Sequence, residues 1–405
     1  MKTLNCRLCE QPLSEPIFKL PNTPLANEFV ETPTPQDLFP LEICCCDNCE
    51  HYQLSETVEP ERLFRKYLYV AGTSPVNVEH FRQYALEMVE RFNIKPGSLI
   101  IDIASNDGVL LRHFKDLGMR VLGVDPAINL ATEATKNGIP TIPEFFTEKL
   151  AEEIYFKHGE AALVTANNVI AHTDKIPEFM RGVKKLIGES GVFTFEVSYF
   201  KDVVEKLVFD TIYHEHVCYH TVFALDNFFT DKDMPLFDVK PINNHGGSIR
   251  GYVGKNQSIN PIVAKMIKEE IKNKLHGPKK NNLKNFDKKI NRLKDKLLKT
   301  LTKMKKNGLS IGIYGMPAKA TTLMYTFGLS SELINFAIDD AVLKQGLYSP
   351  GQHIKVYSNS AIKEFKPDVL LILAWNFADS IIERNDFEGK WIVPLPKFKV
   401  ITGEK

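Results

Sequence analysis

Four of the seven cysteines form two pairs in which two residues separate the thiols: Cys6 with Cys9, and Cys46 with Cys49. This spacing lets both thiolates of a pair face one ion, and two pairs supply the tetrahedral donor set that Zn²⁺ prefers. Four thiolates leave no open coordination position, so we predict a structural zinc ion rather than a catalytic one. Folding of the N-terminal lobe should depend on that ion.

Adjacent thiols leave one ambiguity in the second pair. Cys44 and Cys45 directly precede Cys46, and either could partner Cys49 only by an unusual spacing, so we assign Cys46. Reduced thiols without metal and a redox pair are the alternatives, but no βαβ pattern of the kind that carries redox pairs surrounds these residues. A disulfide framework is typical of small secreted chains, which this chain of 405 residues is not.

A loop of small and polar residues follows the first of several short apolar runs. The sequence Ile101-Asp-Ile-Ala-Ser-Asn-Asp-Gly108 would let backbone amides approach a ligand. Asp125, at the end of the next run, could accept hydrogen bonds from both hydroxyls of a ribose. The loop lacks the G-x-G-x-x-G pattern that cradles a dinucleotide pyrophosphate, so S-adenosylmethionine (SAM), which has no phosphate, fits better. An ordinary strand-to-helix turn is the alternative.

Titratable side chains gather after the third and fourth apolar runs. His172 follows the third run, and the sequence Tyr213-His-Glu-His216 follows the fourth. A histidine can act as a general base near neutral pH, and a tyrosine hydroxyl can stabilise an enolate oxygen. In a helical turn Tyr213 and His216 would share a face, whereas in an extended segment His214 and His216 would. The alternatives are a metal site formed by His172, His214, Glu215 and His216, or a purely structural hydrogen-bonded cluster.

The elements that must position these residues follow from the apolar pattern. Short apolar runs alternate with amphipathic stretches, which predicts an α/β fold with a parallel, doubly wound sheet. The lysine-rich segment after Ser258 has helical periodicity and is expected to form helices that link two domains and expose their lysines. A second, smaller α/β unit should follow, beginning at the run Ser310–Tyr314. The cysteine-rich start should be dominated by loops and held by metal rather than by a core.

Taken together, five motifs resemble those of the sugar C-methyltransferases that act on nucleotide-linked keto-deoxysugars. The resemblance covers nearly the whole chain in the same order, and it rests on the paired cysteine knuckles and on Ser105-Asn-Asp-Gly108, Tyr213-His-Glu-His216, His245-Gly-Gly-Ser-Ile-Arg250 and Lys344-Gln-Gly-Leu-Tyr-Ser-Pro-Gly351. It implies three parts: a zinc-binding lobe, a central Rossmann-like methyltransferase domain and a C-terminal Rossmann-like domain that helps to hold the nucleotide sugar. We place their boundaries at residues 1–66, 67–257 and 309–405, with a helical linker at 258–308.

The resemblance also implies roles for individual residues. His216 would be the base, Tyr213 and Glu215 would bind or polarise the sugar, and His172 and Tyr67 would line the site. Substrate contacts are assigned to His245, Arg250 and Lys319, of which the arginine suits a carboxylate or phosphate. Cofactor contacts are assigned to Tyr67, Asp102, Ala104, Asn106, Gly108, Asp125, Pro126 and Asn168.

The composition is that of an ordinary globular protein, with 43% hydrophobic residues, 25% charged residues and a formal net charge of +1. This balance does not suit a nucleic-acid binder, and no stretch has the roughly 20 apolar residues that cross a bilayer. The N-terminus lacks the apolar segment of a secretory signal. We therefore expect a cytoplasmic monomer that partners a nucleotide-linked sugar, with neither nucleic acid nor membrane as a partner.

The chemistry that these inferences favour is transfer of a methyl group from SAM to the carbon next to a ketone, through an enolate. Methylation of a sugar oxygen or nitrogen by the same constellation is an alternative. A binding protein that keeps the fold without catalysis is the other.

Overall fold

The structure is a computed structural model that describes residues 4–244, 246–277 and 282–403. Short strands alternate with helices over most of the chain, as the apolar pattern predicted. The strands are β1 Phe18–Thr23, β2 Phe39–Cys45, β3 Tyr52–Leu54, β4 Leu99–Ile103, β5 Arg120–Val124, β6 Thr141–Ile142, β7 Leu163–Asn167, β8 Val192–Ser198, β9 Cys218–Tyr219, β10 Leu236–Ile242, β11 Ser248–Val253, β12 Ile311–Tyr314, β13 Phe336–Ile338, β14 Val356–Tyr357, β15 Val369–Ile372, β16 Lys390–Val393 and β17 Lys399–Thr402.

The helices cover the faces of these sheets. They are α1 Pro60–Phe64, α2 Pro75–Arg91, α3 Val109–Asp116, α4 Ile128–Lys136, α5 Glu148–His158, α6 Ile176–Ile187, α7 Phe200–Glu205, α8 Val222–Asp231, α9 Pro261–Lys272, α10 Asn282–Lys306, α11 Lys319–Phe327, α12 Ala361–Phe365 and α13 Ala378–Arg384. No helix in these described ranges is long and apolar enough to cross a membrane.

The central sheet has the strand order β10-β11-β8-β7-β4-β5-β6. Its five strands from β8 to β6 are parallel, as predicted, whereas β11 pairs antiparallel with both β8 and β10. Both faces are covered, because Ile100 packs with α2 and α3 while its neighbour Ile101 packs with α5 and α6. The carboxyl ends of β4, β5 and β7 therefore meet at one edge, where ligands bind in such sheets.

The C-terminal sheet has the order β14-β13-β12-β15-β16-β17, parallel except for the edge strand β17. The long helix α10 buries one apolar stripe, which includes Phe286, Ile290 and Leu297, in the core that this sheet shares with the N-terminal strands. The two domains and the helices between them give the predicted α/β fold class.

The N-terminal segment differs from the coreless lobe that its sequence suggested. Strands β1, β2, β3 and β9 form an antiparallel sheet. Alternate residues of its strands, such as Phe18, Leu20, Leu41 and Ile43, are buried in the same core as α10. The segment therefore has a core, which it borrows from elements more than 200 residues away along the chain. The cysteine-rich segment alone gives no indication of a packing partner so far away in the sequence.

Candidate active site

A single cleft of about 2140 Å³ is lined by residues from all three parts of the chain. The carboxyl edge of the central sheet faces that of the C-terminal sheet across it. Of the residues that the sequence analysis assigned to the site, those that line the cleft are Tyr67, Asp102, Ala104, Asn106, Asp125, Pro126, Asn168, His172, Tyr213, His216 and Lys319. Gly108, Glu215 and Arg250 are not on its surface, and His245 lies outside the described residues.

The four predicted zinc ligands form one cluster. The Sγ atoms of Cys6, Cys9, Cys46 and Cys49 all lie within 4.8 Å of one another. The closest pairs, Cys6 with Cys49 and Cys9 with Cys46, are 3.5 Å apart, a spacing that suits thiolates around one tetrahedral ion. Cys45 instead belongs to the apolar core, so Cys46 is the member of the adjacent trio that reaches the cluster.

The loop after β4 has an unusual backbone that Asp125 holds in shape. Ala104 and Asn106 have positive φ angles of 54° and 53°, in the left-handed region that favours glycine. The carboxylate of Asp125 accepts hydrogen bonds from the backbone N–H of Asn106 at 2.7 Å and of Ala127 at 2.8 Å. Gly108, with φ of 77°, starts α3, and a Cβ there would lie 2.9 Å from Ile139. The loop is thus a strand-to-helix turn fixed by these hydrogen bonds, and Ala104, Ser105 and Asn106 line the cleft.

The Asn106 side chain fastens a second segment over the loop. Its Oδ1 accepts from the backbone N–H of Ala71 at 2.9 Å, and its Nδ2 donates to the carbonyl of Tyr69 at 3.1 Å. The segment before α2, which begins near Tyr67, is thereby placed against the loop after β4, which we call the cofactor loop. Asn106 is therefore positioned to shape the cleft rather than to contact a ligand with its amide.

Asp102 is a buried acid beneath the loop. Burial raises its pKa to about 7, the nearby charge of Asp125 adds to this shift, and the hydrogen bond from the Thr165 hydroxyl opposes it. Asp102 thus favours its neutral form in the folded protein up to near neutral pH.

This buried acid should make the free energy of unfolding depend on pH. A raised pKa means that the folded protein keeps a proton which the unfolded chain releases above about pH 4, so stability falls as the pH rises toward 7. Asp102→Asn removes that titration. Between pH 5 and pH 7.5 we expect the wild type to lose about 2.5 kcal/mol of unfolding free energy relative to the variant, measured by urea unfolding without ligand. Parallel curves for the two proteins would contradict the assignment.

Asn167 is a site residue that the sequence analysis passed over in favour of its neighbour. It ends β7 and lines the cleft, and within the described residues neither its Oδ1 nor its Nδ2 has a hydrogen-bond partner. Asn168, with φ of 57°, uses its backbone N–H to bond the carbonyl of Glu196 at 2.7 Å. A polar side chain left in this state at a cleft suits a polar ligand. The sequence placed asparagines at this strand end, but it did not show that the Asn167 side chain is the one without a hydrogen-bond partner among the described residues.

His216 is held in one orientation by the loop that precedes it. Its Nδ1 lies 2.7 Å from the carbonyl oxygen of Thr211, which can only accept a hydrogen bond, so Nδ1 carries the proton. In the neutral imidazole the lone pair is then on Nε2, 3.0 Å from the hydroxyl of Tyr213, which must donate to it. Burial raises the pKa of Tyr213 well above its usual value, so its hydroxyl remains a donor. The predicted proximity of Tyr213 and His216 is present.

His172 stands edge-on to His216, with ring centroids 4.9 Å apart. Burial holds the pKa of His172 well below its usual value, and the neighbouring His216 adds to the shift. A neutral His172 can offer a hydrogen bond in the cleft, but it competes poorly for a proton.

Glu215 lies behind the cleft wall and acts on Tyr67. Its carboxylate accepts from the Tyr67 hydroxyl at 2.8 Å and from the side-chain amide of Asn27 at 2.6 Å. Burial raises the pKa of Glu215 to about 7, and these two hydrogen bonds oppose the shift. Glu215 is therefore placed to orient Tyr67, which itself lines the cleft. Sequence offered no signal for Asn27, which lies 188 residues from Glu215.

The histidine-rich stretch does not assemble a metal site. The ring of His214 points to the N-terminal lobe, where its Nε2 lies 3.1 Å from the carbonyl of Pro40. Among the described ranges, the cysteine cluster is the one group of three or more histidine, cysteine or acidic side chains close enough to share an ion. The alternative in which His172, His214, Glu215 and His216 bind a metal therefore lacks the necessary geometry.

Arg250 is committed to partners inside the central domain. Its guanidinium pairs with Glu196 at 2.6 Å and Glu87 at 2.9 Å, and it stacks on the ring of Tyr84 at 3.6 Å. Only 2% of the residue is exposed. The structure does not bring Arg250 to the cleft, because β11 lies within the sheet and turns this side chain into its packed face.

Lys319, by contrast, lies in the cleft wall at the start of α11. Its ammonium bonds the Asn376 side chain at 2.7 Å and lies over the ring of Trp375 at 3.7 Å. Burial lowers its pKa to about 8, and the negative charge of Asp210 opposes that shift. Lys319 is thus a cation facing the cleft from the C-terminal side.

Comparison with known proteins agrees with this three-part construction. Three families match successive parts of the chain: "Putative zinc binding domain" at residues 6–64, "Methyltransferase domain" at 78–233 and "C-methyltransferase C-terminal domain" at 243–396. The C-methyltransferase NovU of Streptomyces niveus is 33% identical over 98% of this chain and 97% of its own length. The chain belongs to the C-methyltransferase family. The predictions of a SAM-dependent methyltransferase with a zinc-binding N-terminal lobe are confirmed.

Solved structures overlap with parts of this C-methyltransferase. Magnesium protoporphyrin IX methyltransferase (ChlM) from Synechocystis PCC 6803, with bound SAM, is 14% identical and covers 45% of this chain and 82% of its own, with a TM-score of 0.34. The PH0226 protein from Pyrococcus horikoshii OT3 is 15% identical and covers 50% of this chain and 100% of its own, with a TM-score of 0.37.

Proposed function

We propose that this C-methyltransferase transfers the methyl group of SAM to the carbon next to the ketone of a nucleotide-linked keto-deoxysugar, through an enolate. The observation that supports it most directly is the state of His216. Its Nε2 lone pair and the Tyr213 hydroxyl share one wall of the cleft that the cofactor loop also lines. A base beside a neutral hydrogen-bond donor is the pair that enolate formation requires.

The residues around the loop after β4 fit SAM. Asp125 would accept hydrogen bonds from the ribose, and the backbone at Ala104 would admit the ligand. The side-chain amide of Asn167, which has no hydrogen-bond partner among the described residues, would meet its polar groups. When bound there, SAM supplies an electrophilic methyl group. The assigned contacts Tyr67, Asp102, Pro126 and Asn168 surround the same volume.

His216 and Tyr213 would carry the proton chemistry. The Tyr213 hydroxyl would turn from Nε2 of His216 to the ketone oxygen of the sugar, which frees the Nε2 lone pair. Nε2 then takes the proton from the carbon next to the ketone, and the C–H electron pair moves into the enolate. The Tyr213 hydroxyl donates a hydrogen bond to the enolate oxygen, assisted by His172. The carbonyl would re-form as the enolate carbon bonds the methyl group, while the S–CH₃ bond of SAM breaks and its electron pair returns to sulfur, which leaves S-adenosylhomocysteine. The imidazolium would then return its proton to solvent. Lys319 would pair with the phosphates of the nucleotide from the opposite wall.

Mass spectrometry of products tests this assignment. The purified protein, SAM and a panel of nucleotide-linked 4-keto deoxysugars should give one product that has gained a single methyl group. If a preparation that binds SAM gives no methylated product from any member of the panel, the proposed substrate class is wrong.

Deuterium exchange separates methylation at carbon from methylation at oxygen or nitrogen. In D₂O without SAM, only the enolate route replaces a C–H of the sugar with C–D. A methylated product whose substrate shows no exchange would favour the oxygen or nitrogen alternative. If calorimetric titration shows no binding of SAM at millimolar concentration, the chain would instead be a binding protein.

Asp125→Ala should weaken SAM binding. The substitution removes the proposed ribose acceptor and the group that fixes Asn106 and Ala127, and hydrogen bonds to a charged group contribute about 1.5–3 kcal/mol. We expect the Kd for SAM to rise by roughly 10- to 100-fold. Asp226→Ala, in α8 and remote from the cleft lining, is the matched control and should bind SAM normally. Equal affinity in the two variants would exclude Asp125 as a cofactor contact.

A further inference from the structure

The loop that orients His216 accepts hydrogen bonds from the C-terminal domain at the residues on both sides of Thr211. On one side, the indole N–H of Trp375 donates to Oδ2 of Asp210 at 2.6 Å. On the other, the hydroxyl of Thr322 in α11 donates to the carbonyl of Ile212 at 2.8 Å. The carbonyl of Thr211 between them is the group that fixes the imidazole. Two hydrogen bonds from another domain thus lie on either side of the residue whose carbonyl accepts the Nδ1 proton of His216.

Burial makes both contacts hard to replace with water. Asp210 and Thr322 are fully buried, and Trp375 is 6% exposed. Oδ1 of Asp210 has no partner in the part of the chain that the structure describes, so the indole N–H is the side-chain donor that this carboxylate has. Burial raises the pKa of Asp210 to about 6, opposed by the charge of Lys319 and by the indole hydrogen bond. Removing that donor would take from a buried acid its side-chain hydrogen bond, and we expect the segment to shift in response.

Trp375 also contacts Lys319, in the wall of the cleft that the C-terminal domain forms opposite His216. The Lys319 ammonium lies 3.7 Å from the centre of its ring, and the next residue, Asn376, binds that ammonium and lines the cleft. A short path therefore joins the cation of the C-terminal wall to the base: Lys319 to the indole ring, the indole N–H to Asp210, and Asp210 to the carbonyl of Thr211.

We propose that Trp375 and Thr322 are positioning residues for His216, through which the C-terminal domain sets the orientation of the base. This inference rests on the proposed function, because it takes His216 as the base. It goes further in giving the C-terminal domain a part in proton transfer as well as in holding the nucleotide. Neither side chain reaches the reacting atoms, so both act through the loop Asp210–Ile212.

Trp375→Phe tests the first contact, because it removes the N–H donor and keeps an aromatic ring beneath Lys319. Displacement of a catalytic group by about 1 Å can cost 10²-fold in rate, so we expect kcat to fall by roughly 10- to 100-fold. The KM for the keto sugar identified by the panel should change less than about threefold, since the cation–π contact is retained. In this variant, the exchange of the sugar C–H for C–D without SAM should slow by the same factor as kcat.

Trp391→Phe is the matched control, since Trp391 is the only other tryptophan of the chain. It is buried in β16 against Phe387, and its substitution removes the same indole volume from the same domain. We expect this variant to keep the exchange rate of the wild type.

Thr322→Val and Thr322→Ser form a second pair that does not depend on how Trp375→Phe folds. Valine has the shape of threonine without the hydroxyl, whereas serine keeps the donor. We expect slower exchange in Thr322→Val and near-normal exchange in Thr322→Ser. Equal rates in this pair, or equal rates in Trp375→Phe and Trp391→Phe, would overturn the inference. Failure of the proposed function would look different, because His216→Asn would then retain exchange and turnover.

Discussion

His216→Asn is expected to lower kcat by roughly 10²- to 10⁴-fold, which is the usual contribution of a positioned general base. Asparagine can still donate from its amide to the carbonyl of Thr211, so the loop should keep its shape. What it lacks is the basic lone pair that Nε2 presents beside Tyr213. Affinities for SAM and for the nucleotide sugar should stay close to those of the wild type, measured by calorimetry.

His214→Asn is the matched control, since it makes the same substitution two residues earlier. His214 contacts the carbonyl of Pro40 in the N-terminal lobe and does not line the cleft. We expect it to keep most of the turnover. Near-normal kcat in a folded His216→Asn variant, or an equal loss of kcat in His214→Asn, would contradict the assignment of His216 as the base.

The parts of the fold that the sequence predicted are those with local signals. The apolar run Leu99–Ile103 coincides with β4, because a strand buried on both faces needs apolar residues throughout. The hairpin of β10 and β11 has no such signal, and the stretch ending at Arg250 was assigned to the substrate because an arginine suits a carboxylate or phosphate. Its last residues form a strand at the sheet interior, where the arginine meets Glu196.

The site follows the same division. Helical spacing brought Tyr213 and His216 together correctly, since three residues span one turn. Local spacing cannot predict contacts between residues that are far apart in the sequence. Asn27 contacts Glu215 across 188 residues, and Trp375 contacts Asp210 across 165. These contacts depend on how the three parts pack together, which no periodicity within one part encodes.

The zinc knuckles lie at one of these junctions, and Arg7 makes the connection. It follows Cys6, is almost fully buried, and pairs with Asp174 at 2.6 Å. Its guanidinium also donates to the carbonyls of Leu54 and, at 3.4 Å, Val217. Val217 directly follows His216, and Asp174 comes two residues after His172. The metal therefore holds an arginine that supports the backbone behind both histidines of the cleft.

Cys46→Ser should consequently abolish both zinc binding and activity. Structural zinc contributes about 10–16 kcal/mol in zinc-finger peptides, so the two cysteine knuckles, and with them the position of Arg7, should lose their fixed structure when one thiolate is lost. We expect the zinc content, measured by atomic emission of the purified protein, to fall from one ion per chain to well below one. The turnover should fall at least 100-fold, since a 1 Å displacement of catalytic groups alone can cost that much.

Cys44→Ser separates the loss of the metal from the loss of a buried thiol. Cys44 is as buried as Cys46 and lies two residues away in the same strand region, but it is not in the four-sulfur cluster. This variant should keep one zinc per chain and most of its activity. Full zinc in Cys46→Ser, or loss of zinc in Cys44→Ser, would show that the wrong member of the trio had been assigned. The variant Arg7→Lys tests whether the contacts of Arg7 carry this effect. If Cys46→Ser loses activity but Arg7→Lys keeps normal turnover, the effect arises from the lobe as a whole rather than from the contacts of Arg7.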